Sequence, residues 1–174
     1  WKGTTPGFQN YDNAEHYNKT FDTYQSLTNV PNGLYKLSVQ GFYRPATEGI
    51  TGAVFYADNG TDRLTVDVPN INSESELVAK PNNMQAASEA FHAGYYDAEL
   101  FVDVNNGTLR IGVALPQLAG SSDWVMWDNW RLTYYGNDEN VYSVVLDSLA
   151  NYALYEFDGR EAEMTVGLLD FYRE

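Results

Sequence analysis

Leu34-Tyr35-Lys36-Leu37-Ser38-Val39-Gln40-Gly41-Phe42-Tyr43-Arg44 alternates apolar and polar residues over most of its length. Successive side chains leave a strand on opposite sides, so a period of two marks a strand with one buried face. Tyr35, Leu37 and Val39 share one face with Tyr43, while Lys36, Ser38 and Gln40 share the other with Phe42 and Arg44. The strand opens directly after Pro31-Asn32-Gly33, a turn signal. The run Phe21 to Leu27 stops before the same turn, so the two runs are expected to pair as an antiparallel hairpin.

Outward from this stretch the same period recurs in Ala53 to Ala57, Leu64-Val66-Val68, Leu100-Val102-Val104 and Leu109-Ile111-Val113, and a last apolar strand runs from about Trp124 to Tyr135. Asn59-Gly60 and Asn105-Asn106-Gly107 supply turn chemistry between them. About eight short strands at turn-separated intervals predict an all-β fold, a two-sheet antiparallel β-sandwich of the jelly-roll kind. Residues 69 to 93 break the pattern: Met84, Ala87 and Phe91 stand at helical spacing, with Gly94 where a helix C-cap belongs. One short internal helix within a loop is expected there.

After Gly136 the period changes again. Val141, Val144, Val145, Leu149 and Tyr152 recur at three and four, and nine acids from Asp138 to Glu174 face only Arg160 and Arg173. The reading is two regions: a sandwich over residues 1–136 and an acidic helical appendage over 137–174, or the start of a following region.

Composition bounds the partners. The 174 residues carry 24 acids against ten Lys and Arg, a formal charge of −14, which repels phosphate backbones and anionic headgroups. Nucleic acid is excluded as a partner on that ground, and no apolar run is long enough to insert in a membrane. With 44% hydrophobic residues, including four Trp, 14 Tyr and eight Phe, the chain can bury a real core. It has no cysteine, hence no disulfide, thiolate site or Cys nucleophile. A chain opening at Trp1 without an initiator Met reads as a processed or excised piece of a longer protein.

Ala14-Glu15-His16-Tyr17-Asn18-Lys19-Thr20-Phe21-Asp22-Thr23-Tyr24-Gln25 leads through Pro31-Asn32-Gly33 and Tyr35-Lys36-Leu37 to Gly41-Phe42-Tyr43-Arg44. Later come Phe91-His92-Ala93-Gly94-Tyr95-Tyr96, Gly107-Thr108-Leu109-Arg110-Ile111-Gly112-Val113 and Trp127-Asp128-Asn129-Trp130-Arg131-Leu132. This ordered set, covering about residues 1–136, resembles the galactose-binding-like jelly-roll domains of secreted or surface proteins of the Bacteroidetes glycan-utilisation type. The resemblance implies a carbohydrate-binding module of a larger exported protein, periplasmic, cell-surface or secreted, with an oligo- or polysaccharide and neighbouring domains as partners. Fold-level resemblance leaves the site to be argued from residues.

A site for a sugar combines an exposed aromatic ring with planar hydrogen-bonding groups. Ser121-Ser122-Asp123-Trp124 delivers an indole beside a carboxylate just before the last strand. Trp124 either reaches ligand from that loop or caps one end of the core. Trp127 and Trp130 read as core. Arg44, at the end of its strand beside Tyr43, offers a fork of donors to sugar hydroxyls or a uronate, or makes an internal ion pair with one of the many acids. The candidate ligand-binding residues are thus Trp124, Asp123, Arg44 and Tyr43. No cofactor is required. A structural Ca2+, which jelly-roll sugar-binding domains often hold, has Glu15 and Asp128 as candidate ligands if their strands are neighbours. His16 and His92 stand too far apart in sequence, without supporting ligand spacing, to suggest zinc.

The chain has no Gly-x-Ser-x-Gly elbow and no phosphate-cradling glycine loop. With 24 acids, some carboxylate pair meets glycosidase spacing by chance, so counting supports no hydrolase. The chain is expected not to be an enzyme. The competing expectation is a structural spacer or protein-interaction domain of a surface protein, with no sugar affinity and with the acidic terminal helix as its docking element.

Overall fold

Two five-stranded antiparallel sheets account for most of the described residues in the computed structural model, which are 1–8, 13–48, 50, 52–74 and 80–137. The chain divides into two units, Trp1–Tyr135 and Gly136–Glu174. The first is the expected all-β sandwich. The acidic helix expected over 137–174 lies outside the described residues, apart from Asn137.

One sheet runs, in spatial order, β1 (Lys2–Gly3), β4 (Phe21–Thr28), β9 (Thr108–Leu115), β6 (Val54–Asp58) and β7 (Arg63–Asp67). The other runs β2 (Gly7–Phe8), β3 (Ala14–Tyr17), β10 (Trp124–Gly136), β5 (Gly33–Arg44) and β8 (Asp97–Val104). Ten strands stand where about eight are expected. The difference includes β1 and β2, two residues each and too short to carry an alternation.

The expected hairpin of β4 and β5 is corrected. Phe21–Thr28 pairs with Leu115–Thr108 in the first sheet, whereas Gly33–Gln40 pairs with Val104–Asp97 in the second. The turn at Pro31-Asn32-Gly33 therefore carries the chain from one sheet to the other, and Asn105-Asn106-Gly107 does the same between β8 and β9. Only Asn59-Gly60 closes a hairpin among these three signals, joining β6 to β7 with Asp58 opposite Arg63. Turn residues dictate that the chain reverses. They do not dictate whether it returns in the same layer.

The alternation of β5 divides its side chains as expected. Tyr35, Leu37 and Val39 face the first sheet and pack with Phe55, Ala57, Leu109, Ile111 and Val113. Gly41 lies on this face where a side chain has no room: a Cβ there would stand 2.6 Å from the Met126 carbonyl of the neighbouring β10 and 2.6 Å from the Phe55 ring of the facing sheet. In β10, Asn129 takes a φ of 55°, a left-handed conformation that Asn tolerates. That residue resets the alternation, so Trp127 and Trp130, three apart, pack against the same core. Trp127 is a core residue, as expected, while Trp130 is only partly buried and packs against the core from its margin.

The outward face of β5 changes character along its length. Helix α1 (Met84–His92) is capped by Asn83, whose Oδ1 accepts the Ala86 amide at 2.9 Å, and it ends at Ala93 with Gly94 in positive φ. Its Met84, Ala87, Ala90 and Phe91 pack on Phe42, Tyr96, Trp124 and Met126. A third apolar cluster thus covers the outward end of β5 and β10, while Lys36, Ser38 and Gln40 stay partly exposed beyond it.

Candidate functional site

The connections β3–β4, β5–β6, β7–β8 and β9–β10 leave the sandwich at one end, and one buried residue ties three of them together, two through its carboxylate and one through its backbone carbonyl. Asp123, 1% exposed, accepts the Ala46 amide at 2.7 Å, the Ala119 amide at 2.7 Å and the Tyr43 hydroxyl at 2.9 Å. Its own carbonyl accepts the Asn18 amide at 2.7 Å. Burial, followed by the bond to this carboxylate, holds the Tyr43 hydroxyl well above the ordinary tyrosine pKa. Asp123 and Tyr43 are therefore interior groups, not the surface ligand contacts expected of them. Inward alternation buried Tyr43, and a carboxylate filled with three donors has little left to offer a sugar.

Trp124 is not a ring on a loop. It opens β10, opposite Tyr17 of β3, and is only 3% exposed. Its ring meets Phe42 edge-on at 5.0 Å, its Nε1–H donates to Glu15 Oε2 at 2.7 Å, and the Arg44 guanidinium lies 4.6 Å from its centroid. Of the two readings open in the sequence, capping the core is the one found. The cause is α1, which closes over the outward face and takes the indole into its apolar cluster.

Above this buried indole lies a groove of about 510 Å3, into which Arg44, Glu15, Tyr17 and an edge of Trp124 project. Its far wall is the start of α1, with Asn82, Asn83 and Gln85. Arg44 spends one donor on Asn82 Oδ1 at 3.1 Å, and among the described residues no carboxylate lies within ion-pair distance of it. The internal ion pair considered for Arg44 is thus replaced by stacking on Trp124 and one amide bond. Tyr17 is 51% exposed beside it. The groove offers a guanidinium that donates, a carboxylate that accepts, amides that do both, and one open ring.

Of the residues expected at a ligand site, Arg44 and Trp124 reach this groove, with Glu15 from the candidate metal pair. Asp128 does not. It lines a separate depression of about 330 Å3 together with Trp1, Phe8 and Trp130, and its Oδ1 accepts the Asn129 amide at 2.7 Å. Their strands are neighbours, yet the two carboxylates serve different depressions. Among the described residues no group of three or more His, Asp or Glu side chains gathers in metal-binding proximity.

Tyr17, Asn82, Asn83 and Gln85 escape a reading of the sequence. Asn83 does carry a local signal, an N-cap residue directly before the apolar helical period. That the capped end would arrive beside Arg44, 39 residues earlier by number, is a tertiary fact with no local trace.

No protein-family model matches the chain, and no curated protein matches it. Among solved structures it is similar to a family GH115 4-O-methyl-α-glucuronidase with specificity for decorated arabinogalactans. The likeness has 13% sequence identity and a TM-score of 0.44 over 71% of this chain. The chain spans 14% of the length of that structure.

Proposed function

We propose that this domain is a non-catalytic carbohydrate-binding module that holds a neutral oligo- or polysaccharide in the end groove. The observation that carries the reading is Arg44: a guanidinium laid over Trp124, bonded to one amide, with its remaining donors facing the groove beside Glu15 and the open Tyr17 ring. A vicinal pair of sugar hydroxyls both accepts and donates, which matches a guanidinium and a carboxylate placed together. One cation and one anion leave the lining balanced, which favours a neutral sugar over a uronate. Tyr17 supplies the face on which sugar C–H groups stack. The resemblance of residues 1–136 supports the further reading that the chain is one module of a larger exported protein.

A glycan array covering plant, host and microbial polysaccharides, followed by isothermal titration of each hit, tests the proposal. Titrations run once with EDTA and once with calcium test whether a metal takes part; the reading requires none. Binding is expected to fall at least about tenfold in Arg44→Ala and in Tyr17→Ala. An array without signal would sink it.

The burial of Trp124, Asp123 and Tyr43 favours a second reading, a spacer or protein-interaction domain of a surface protein. That reading expects no sugar affinity and a measurable association with neighbouring domains of the full-length protein.

A further inference from the structure

The outward face of the second sheet carries a groove that the end site does not use. It is about 660 Å3, within the range of about 300 to 1,000 Å3 typical of ligand clefts. Its floor is a ladder of cross-strand pairs in which Gln40 stands opposite Asp97, Ser38 opposite Glu99 and Lys36 opposite Phe101. β10 adds Arg131, Thr133 and Tyr135 along one side, and the C-terminal end of α1 walls one end with Phe91 and His92.

The polar groups of this floor are held in place by each other. Gln40 donates through Nε2 to the carbonyls of Phe91 at 3.0 Å and Tyr95 at 3.1 Å, and its Oε1 accepts Asn129 Nδ2 at 2.6 Å. Ser38 donates to Glu99 Oε1 at 3.1 Å, and Lys36 Nζ lies 2.9 Å from the same oxygen. At the far end Tyr135 is 37% exposed, its ring 6.1 Å from that of Phe101. Arg131 is exposed and within ion-pair distance of no carboxylate among the described residues.

We infer that this face is a second binding site and takes the interior of a neutral polysaccharide chain. Two cations, Lys36 and Arg131, balance two anions, Asp97 and Glu99, so the groove has no net charge to select an ionic ligand. A lining of amides, hydroxyls and paired charges offers little to an apolar molecule. The ladder runs across β10, β5 and the edge strand β8 on the outward face of the sheet, so its side chains receive a chain lying across them, whereas an added strand would pair along the outer edge of β8 and leave this face open. An open tyrosine at one end, with guanidinium, amide and hydroxyl groups spaced along the floor, matches successive sugar rings that stack and hydrogen-bond in turn. The inference stands on its own observations and holds even if the end groove binds nothing.

Affinity gel electrophoresis of the full chain, in gels containing soluble galactan, xylan, mixed-linkage β-glucan or galactomannan, tests it. The variants are Tyr135→Ala and Arg131→Ala on the sheet face and Arg44→Ala in the end groove, each checked for an unchanged melting transition. At least one polymer is expected to retard the chain, with retardation weakened about tenfold by Tyr135→Ala and Arg131→Ala and persisting in Arg44→Ala. Isothermal titration with hexasaccharides of the same polymer is expected to show tighter binding than with its disaccharide. Retardation by none of the four polymers would overturn the inference. So would retardation that Arg44→Ala abolishes while both sheet-face variants keep it, a result that leaves the end-groove reading standing.

Discussion

The Tyr43 hydroxyl donates to Asp123 Oδ2 across 2.9 Å in the closed end of the sandwich, and the amides of Ala46 and Ala119 fill the rest of that carboxylate at 2.7 Å each. One side chain thereby fixes the β5–β6 and β9–β10 connections. Removing it strands three donors at once, the buried Tyr43 hydroxyl and two part-buried amides, whereas removing the hydroxyl strands neither amide. Asp123→Ala is expected to cost about 3 kcal/mol or more, and Tyr43→Phe about 1 kcal/mol. Urea unfolding of both variants checks the order; equal losses would mean the amides find water instead.

His16 makes the stability of the fold depend on pH. It is 3% exposed, its ring lies 4.0 Å from that of Phe21, and burial, with the nearby Lys19 charge adding to it, lowers its pKa from 6.5 to about 4. Thr23 already donates its hydroxyl proton to the Thr4 carbonyl at 2.6 Å, so the 2.8 Å contact with His16 Nε2 requires that nitrogen to carry the proton. The folded ring is neutral. Between the unfolded value near 6.5 and the folded value near 4, the unfolded chain binds a proton that the folded one does not. Stability therefore falls as pH drops through this window, by about 3 kcal/mol at most. Urea midpoints at pH 7 and pH 5 should differ for the parent and converge for His16→Gln; a parallel drop in both would assign the effect to other groups.

How far the fold is legible follows from what each signal encodes. The alternation of Leu34 to Arg44 encodes a local preference for two faces, and it placed Leu37 and Val39 inside and Lys36 and Ser38 outside. Layer order is not local. Pro31-Asn32-Gly33 reverses the chain whether β5 returns beside β4 or crosses to the other sheet, and the crossing is decided by which inward faces meet. The site follows the same division. Arg44 at a strand end reads as a rim group and is one. Trp124 reads equally as a rim group or a cap on the core, and what decides is α1, a helix docked by Phe42 and Met126, residues distant in sequence. Phe42 itself breaks the alternation as an apolar residue on the outward face, and it was the one local hint that something covers this end.

Gly41 marks where the two layers leave no room. The nearest atoms to an added Cβ are the Met126 carbonyl and the Phe55 ring, both at 2.6 Å, with the Trp127 Cβ at 3.1 Å. Phe55 is held edge-on against Trp130 and cannot swing away cheaply. Gly41→Ala is expected to destabilise the fold by about 1 to 3 kcal/mol, by forcing β5 and β10 apart. Thermal unfolding measures it, and Gly94→Ala gives the contrast: an added Cβ meets nothing within 4 Å there, so its cost comes from the positive φ of 84° alone.

Glu15 separates the structural and binding roles of the end groove. Its Oε2 accepts the Trp124 indole N–H at 2.7 Å, a bond that the carbonyl of glutamine can also accept. Glu15→Gln therefore keeps the indole seated and is expected to leave the melting transition nearly unchanged. The same substitution removes the anion beside Arg44, so the groove changes from balanced to positive. Affinity for a neutral oligosaccharide should fall, because the hydroxyl that donated to a carboxylate now donates to a weaker amide acceptor. Affinity for an oligogalacturonate should rise relative to it, together shifting the preference by about tenfold. Paired titrations of parent and variant with the two probes read that ratio. An unchanged ratio with normal folding would place Glu15 outside the ligand's reach and restrict it to holding Trp124.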